Sequence, residues 1–253
     1  MIIRSLLFNI LFYGITAFMA VFGLIVLVLP YRVCQQYAHL WSAIMVFLLK
    51  YIMGINHRVT GARPDHPVIY AAKHQSAWET IFLYAEFNSP APVLKKELVF
   101  IPFIGLYFVK IPSVPIDRAA GRAALKNLMA AAEKIKNIGG SILIFPQGTR
   151  VAPVSDSAAH HPYHTGTFAI YQATGLPVVP VALNSGLFWS RAAFTKKSGV
   201  IDVALLPEIP PGLNRREFMA RLEDAIETAT NALPGMGSGM ETGNKSGQEE
   251  AQR

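Results

Sequence analysis

Apolar and polar positions divide the chain into regions with different periods. Residues 5–29 carry no charged side chain; as a helix this run is roughly 37 Å long, enough to cross a bilayer core of about 30 Å with tilt. Arg4 precedes it and Pro30-Tyr31-Arg32 ends it. A second uncharged run, residues 33–49, has Gln35, Gln36 and His39 in its first half and is almost wholly apolar after Leu40. Past Gly54, short apolar runs alternate with helical patterns. Residues 68–72, 93–94, 141–145, 178–183 and 200–206 read as strands. Leu125, Leu128, Met129, Ala132 and Ile135 recur at helical spacing, and Gly139-Gly140 closes that helix. A last helix is expected over residues 215–233, with Phe218, Leu222, Ala225, Ile226 and Ala229 as its apolar face. Pro180 inside an apolar strand marks an edge or a bulge.

This alternation predicts an α/β fold: a mostly parallel mixed sheet covered by helices, preceded by an N-terminal hydrophobic two-helix membrane motif. The expected divisions are a membrane-embedded helical hairpin over 1–54, an α/β domain over 55–233 and a disordered tail over 234–253. A signal peptide competes for the first run. The run is too long for one and continues past the small residues near Ala17 and Ala20, which favours a retained anchor. The second run is either a second span or a helix that dips into one leaflet and packs on the first. Arg4, Lys50 and Arg58 flank the hairpin and are consistent with both ends, and the active domain, on the cytoplasmic side of the inner membrane; Arg32 at the corner blurs that topology.

Charge and composition narrow the partners. Charged residues make up 15% of the chain, against about a quarter in an ordinary soluble domain. Mean hydropathy is +0.33. A net charge of +7 on so apolar a chain favours an anionic lipid surface or a phosphate-bearing substrate. Nucleic acid is disfavoured as a partner, because no basic run, zinc-finger spacing or aromatic RNA-binding signature occurs. Cys34 is the single cysteine, so no intrachain disulfide forms, and its apolar surroundings suit packing.

Candidate chemistry gathers after the strands. His74 falls in the turn between the strand at 68–72 and a helix whose N-cap is expected at Ser76. Glu79 sits in that helix's first turn, within reach of the histidine as an orienting carboxylate. Ser76-x-x-Glu79 is equally a capping box, in which the carboxylate serves only backbone N–H groups. Gly148-Thr149-Arg150 after the strand at 141–145 offers backbone donors, a hydroxyl and a guanidinium, which are the parts of a phosphate site or of a plain tight turn. Asp156, His160, His161 and His164 raise a metal-dependent hydrolase as an alternative; they fall in a Ser/Ala/Pro-rich loop without fixed ligand spacing, so no metal is expected.

Together these residues resemble the glycerolipid acyltransferase superfamily, specifically the bacterial lysophosphatidate acyltransferases, over roughly residues 61–206. The His-x4-acid pattern falls on His74 and Glu79. Lysine, leucine, glycine and arginine follow at the family spacing as Lys95, Leu98, Gly105 and Arg118. A Phe-Pro-Glu-Gly-Thr-Arg block is matched at Phe145, Pro146, Gly148, Thr149 and Arg150, and a Val-Pro-Val element at Val179-Pro180-Val181. Glu79 departs from the usual aspartate, and Gln147 from the usual glutamate.

The resemblance implies direct acyl transfer to the free hydroxyl of lysophosphatidate, giving phosphatidate, with acyl-CoA or acyl carrier protein as donor and no cofactor. His74 is then the base and Glu79 its orienting acid. Lys95, Arg118, Gly148, Thr149 and Arg150 bind the acceptor's phosphate, and backbone N–H groups near Gly148 are candidate oxyanion donors. Membrane lipid is the further partner. Lyso-ornithine lipid is the alternative acceptor, and a non-catalytic membrane-binding protein the distant alternative.

Overall fold

The computed structural model describes residues 1–117, 121–152 and 161–236. Helix α1 spans Ile2–Phe22 and tightens into a 3-10 turn over Gly23–Val28. Leu29, preceding a proline, is extended (ψ 167°), as steric clash with the ring requires. The chain then reverses into α2, Tyr31–Leu48, which widens into a π turn and ends at Gly54 with φ +69°. Ile2–Val28 is, among the described residues, the one helix long and apolar enough to cross a membrane.

The polar first half of the second run has a use that periodicity did not reveal. Gln35 Nε2 donates to the Ser89 carbonyl at 2.8 Å, and His39 Nδ1 lies 3.2 Å from Ser89 Oγ. These residues dock α2 on the α/β body. Toward α1, the Tyr37 hydroxyl donates to the Met19 carbonyl (2.9 Å) and Trp41 Nε1 to Thr16 Oγ1 (3.0 Å). Gly23 permits this approach: a Cβ there would lie 2.5 Å from the Tyr37 ring and 2.6 Å from the Tyr107 hydroxyl. Cys34 is buried, its Sγ turned to the Val26 carbonyl.

Seven strands form one mixed sheet: β1 (Ile55–Thr60), β2 (Ile69–Ala72), β3 (Ala91–Lys95), β4 (Val114–Ile116), β5 (Ile142–Ile144), β6 (Val178–Leu183) and β7 (Gly199–Leu205). Their order is β1-β7-β6-β2-β5-β3-β4, parallel throughout except between β6 and β7. The fold class read from the sequence is therefore found. Two strands escaped the pattern: β1 carries Asn56, His57 and Arg58 at the sheet's edge, and β4 is three residues long with a proline in the middle. Pro180 lies in β6, a central strand, where the β6–β7 ladder slips. Val181 pairs with Leu205, but Val178 pairs with Ile209, one residue out of register. The missing N–H falls at this bulge.

Both faces of the sheet are covered. One carries α3 (Trp78–Glu86) and the two N-terminal helices, with Phe8, Leu49 and Met53 in the same core as Tyr70, Ala72, Leu143 and Phe82. The other carries α5 (Gly121–Asn137), α6 (Gly166–Thr174) and α7 (Arg215–Ala232), packed on Ile69, Ala71, Ile142 and Val178. β2 is buried along its whole length, the signature of a central parallel strand. Helix α4 (Ile104–Lys110) lies beyond β3 and reaches α1 through the Tyr107 hydroxyl, 3.3 and 3.2 Å from the Met19 and Ala20 carbonyls.

The segment after β6 pins the start of α1. Lys196 N–H donates to Ser5 Oγ (3.0 Å), and its ammonium donates to Asn9 Oδ1 (2.8 Å) while lying 5.1 Å and 4.8 Å from the Phe8 and Trp189 ring centres. The disordered-tail expectation falls mostly on residues 237–253, outside the described residues.

Candidate active site

Five strands, β6, β2, β5, β3 and β4, run parallel, so their carboxyl ends share one edge of the sheet. That edge receives the residues after β2 and β5 and the turn after β6. His74 follows β2 and lies flat against Phe145, which follows β5; the ring centres are 4.2 Å apart at 22°. His74 Nδ1 is 2.8 Å from Glu79 Oε1. A carboxylate oxygen only accepts, so Nδ1 carries the proton and the neutral ring's lone pair is left on Nε2. The Glu79 side chain is fully buried and the His74 side chain 13% exposed.

Both readings of Glu79 hold at once. Oε1 also accepts the backbone N–H groups of Gln75 and Ser76, each at 2.6 Å, which is half of a capping box. Helix α3 itself starts one residue later than the expected Ser76 cap: Ala77 is the N-cap, and Ser76 Oγ accepts from Trp78 N–H at 3.1 Å. The second carboxylate oxygen is held by a residue the sequence did not single out. The Ser185 hydroxyl, in the 3-10 turn after β6, donates to Glu79 Oε2 at 2.7 Å. Beside it, Gly186 N–H donates to Gln75 Oε1 at 3.0 Å, tying the two strand ends together. A polar pair, Asn184-Ser185, at the end of an otherwise apolar strand was the available signal.

The turn after β5 reaches the histidine through the backbone: Val151 N–H donates to the His74 carbonyl at 2.8 Å. Gly148 has φ +63°, a conformation that favours glycine. Its N–H donates to the Phe145 carbonyl at 2.9 Å, closing the turn. That use removes Gly148 N–H from the candidate oxyanion donors. Thr149 and Arg150 are half-buried on the same turn. Lys95 ends β3 at the same edge, exposed and in register with Ile116. Its neighbour Lys96 pairs with Asp117 at 3.1 Å. Arg118 lies outside the described residues.

Gly105, the remaining motif glycine, has a packing reason. A Cβ there would overlap the Val99 carbonyl, so α4 can close on the preceding turn only without a side chain. Among the described residues, no group of three or more His, Cys, Asp or Glu is placed to hold a metal; Asp156 and His160 lie outside them. His164 is exposed, and its N–H donates to the Pro146 carbonyl at 2.8 Å.

The Acyltransferase family model matches residues 55–184. The chain is 34% identical over 183 residues to the 1-acyl-sn-glycerol-3-phosphate acyltransferase of Pseudomonas aeruginosa, covering 71% of this chain and 70% of that protein. It is 26% identical over 169 residues to the yeast (Saccharomyces cerevisiae) protein of the same name, covering 65% of this chain and 55% of the relative. The crystal structure of the 1-acyl-sn-glycerophosphate (LPA) acyltransferase, PlsC, from Thermotoga maritima superposes with a TM-score of 0.70 at 22% identity, over 90% of this chain and 95% of that one.

Proposed function

The chain belongs to the acyltransferase family, and we propose on that premise that it acylates the free hydroxyl of lysophosphatidate, giving phosphatidate for phospholipid synthesis. The names of its relatives in bacteria, yeast and plants support this acceptor. The observation that carries the chemistry is the 2.8 Å contact between His74 Nδ1 and a fully buried Glu79. It leaves Nε2 as a base at the edge where the Gly148-Thr149-Arg150 turn meets the His74 carbonyl.

Nε2 takes the proton of the acceptor hydroxyl as its oxygen attacks the thioester carbonyl. Glu79 holds the tautomer and stabilises the imidazolium. Collapse of the tetrahedral intermediate expels the thiolate, which recovers the proton from His74. No acyl-enzyme is required. Arg150, Thr149, Arg118 and Lys95 are assigned to the acceptor's phosphate, where two guanidinium groups suit its geometry, and Gly148, its N–H spent on the Phe145 carbonyl, serves that phosphate by shaping the turn. Acyl-CoA or acyl carrier protein supplies the acyl group. The apolar helix Ile2–Val28 supports placement in a membrane, with lipid around the hairpin, and the flanking Arg4, Lys50 and Arg58 favour the inner membrane with the α/β body on the cytoplasmic side.

The test is acyl transfer by protein purified in detergent, with lysophosphatidate and both thioesters, for wild type, His74→Ala and Glu79→Gln. Phosphatidate from wild type, reduced by about three orders of magnitude or more in His74→Ala, is the expected result. A folded wild type that acylates another lysolipid, such as lyso-ornithine lipid, and not lysophosphatidate would overturn the acceptor.

A further inference from the structure

Successive residues of a strand point to opposite faces, so Lys73 turns away from His74 into the helical layer of α5, α6 and α7. There its ammonium is buried against one carboxylate. Lys73 Nζ lies 2.7 Å and 2.6 Å from Oε1 and Oε2 of Glu227, on α7. Glu227 Oε1 also accepts from the Tyr163 hydroxyl at 2.8 Å and from Gln147 Nε2 at 3.5 Å. Burial, then the Glu227 charge, push the Tyr163 phenol far above its ordinary value, so it stays a donor. Gln147 is buried too, and its Oε1 has no partner among the described residues. Gln147 therefore engages this cluster only as a donor to Glu227.

The donors tie to two segments of the active site, the strand end before His74 and the turn after β5. Lys73 precedes His74, and its own N–H closes β2 on β6 through the Val181 carbonyl at 2.9 Å. Gln147 precedes Gly148-Thr149-Arg150. Tyr163 neighbours His164, whose N–H holds the Pro146 carbonyl. Glu227 comes from the last helix, 154 positions beyond Lys73 and 80 beyond Gln147. Its half-buried carboxylate, shared by these three donors, makes it a joint between strand ends.

We propose that Glu227 is a positioning residue for acyl transfer: through Lys73, Gln147 and Tyr163 it fixes the separation between His74 and the Gly148–Arg150 turn. This inference rests on the acyl-transfer reading above. An acceptor that presents its hydroxyl to Nε2 and its phosphate to the turn must bridge that separation. The thioester donor has no such two-point constraint. A carboxylate at 147 with an amide at 227 would keep one amide–carboxylate contact beside Lys73, with the origins of the two groups exchanged.

The experiment is steady-state kinetics in both substrates for Glu227→Gln, Gln147→Glu, the double exchange Gln147→Glu/Glu227→Gln, and Tyr163→Phe. Glu227→Gln is expected to lower kcat/KM for lysophosphatidate about 30- to 100-fold, with a raised acceptor KM and a donor KM within about twofold of wild type. Gln147→Glu sets a second carboxylate beside the first and is expected to lose acceptor efficiency as well. The double exchange is expected to recover to within about fivefold of wild type, which independent effects would not produce. Tyr163→Phe keeps the ion pair and is expected to show the same acceptor-only loss, smaller.

A folded Glu227→Gln enzyme with unchanged acceptor kinetics overturns the proposal, as does equal loss in both substrates accompanied only by a lower melting temperature. If Glu227→Gln does not fold, the double exchange and Tyr163→Phe decide by the same acceptor-donor split. If wild type makes no phosphatidate, the acceptor reading fails. The positioning role is then read without substrate, as the carbethoxylation rate of His74 followed by peptide mass spectrometry. A rate several-fold faster in Glu227→Gln supports it and an equal rate overturns it.

Discussion

The Ser185 hydroxyl donates to Glu79 Oε2 at 2.7 Å across a sequence separation of 106 positions. With it, the buried carboxylate has every visible demand met: His74 and two backbone N–H groups on one oxygen, Ser185 on the other. Ser185→Ala removes the one side-chain donor to Oε2 among the described residues and leaves that oxygen buried. A hydrogen bond to a charged group contributes about 1.5–3 kcal/mol, so kcat is expected to fall about 10- to 100-fold. Substrate KM values should hold, because Ser185 acts through Glu79. Kinetics of Ser185→Ala beside Ser185→Thr, which keeps a hydroxyl, check this.

Glu79 is matched to its length. Its Oε1 meets three donors at 2.6 to 2.8 Å, two of them on the backbone of the same turn. Glu79→Asp keeps the charge but withdraws it by one methylene, so the His74 contact and the Ser185 contact cannot both persist at their present lengths. Activity is expected to fall about tenfold, and by a further tenfold or more in Glu79→Gln, which loses the charge that stabilises the imidazolium. Equal activity of the aspartate variant and wild type would show that the turn relaxes freely.

Much of this site is legible in the chain and part of it is not. His74 and Glu79 are close in sequence and follow β2, and the 145–150 turn follows β5 directly, so local geometry is enough to place each beside a strand end. Ser185, Lys73 and Glu227 are joined only by tertiary packing, which no period in the sequence records. The same reason hid the work of Gln35 and His39: polar residues in an apolar run read as a weak membrane segment until Ser89 is known to lie opposite. β1 and β4 were missed because an edge strand carries polar residues and a three-residue strand has no measurable alternation.

Gly105→Ala tests a motif residue that need not touch substrate. Its Cβ would meet the Val99 backbone carbonyl, which cannot yield as a side-chain tip can. Overpacking of this kind costs about 1–3 kcal/mol or more. The expected result is a lower melting temperature and a raised acceptor KM, since the turn that follows Lys95 is displaced. Thermal unfolding and acceptor kinetics measured on the same preparation check both.

Lys196 gives a pH dependence. Burial holds its ammonium below the ordinary lysine value. The folded protein therefore sheds this proton at a lower pH than the unfolded chain does. Between the two values the unfolded state binds more protons, and stability rises with pH; below the folded value the penalty for the buried charge is fully present. Lys196→Met removes that contribution while filling the space beside Phe8 and Trp189. Melting temperature measured from pH 7 to pH 10.5 in detergent is expected to lack this rising contribution in the variant, so that wild type gains on the variant as pH rises.

The grip of Lys196 on Ser5 and Asn9 also sets an order of events in synthesis. The two ends of that contact are separated by 191 and 187 positions. At about 5–20 residues per second, a ribosome delivers Lys196 roughly 10–40 s after Ser5. Throughout that interval the first helix exists without its latch. Phe8, destined for the interior, waits for its partners until the rest of the sheet is made, so a segment made before the sheet is among the last to be locked in place.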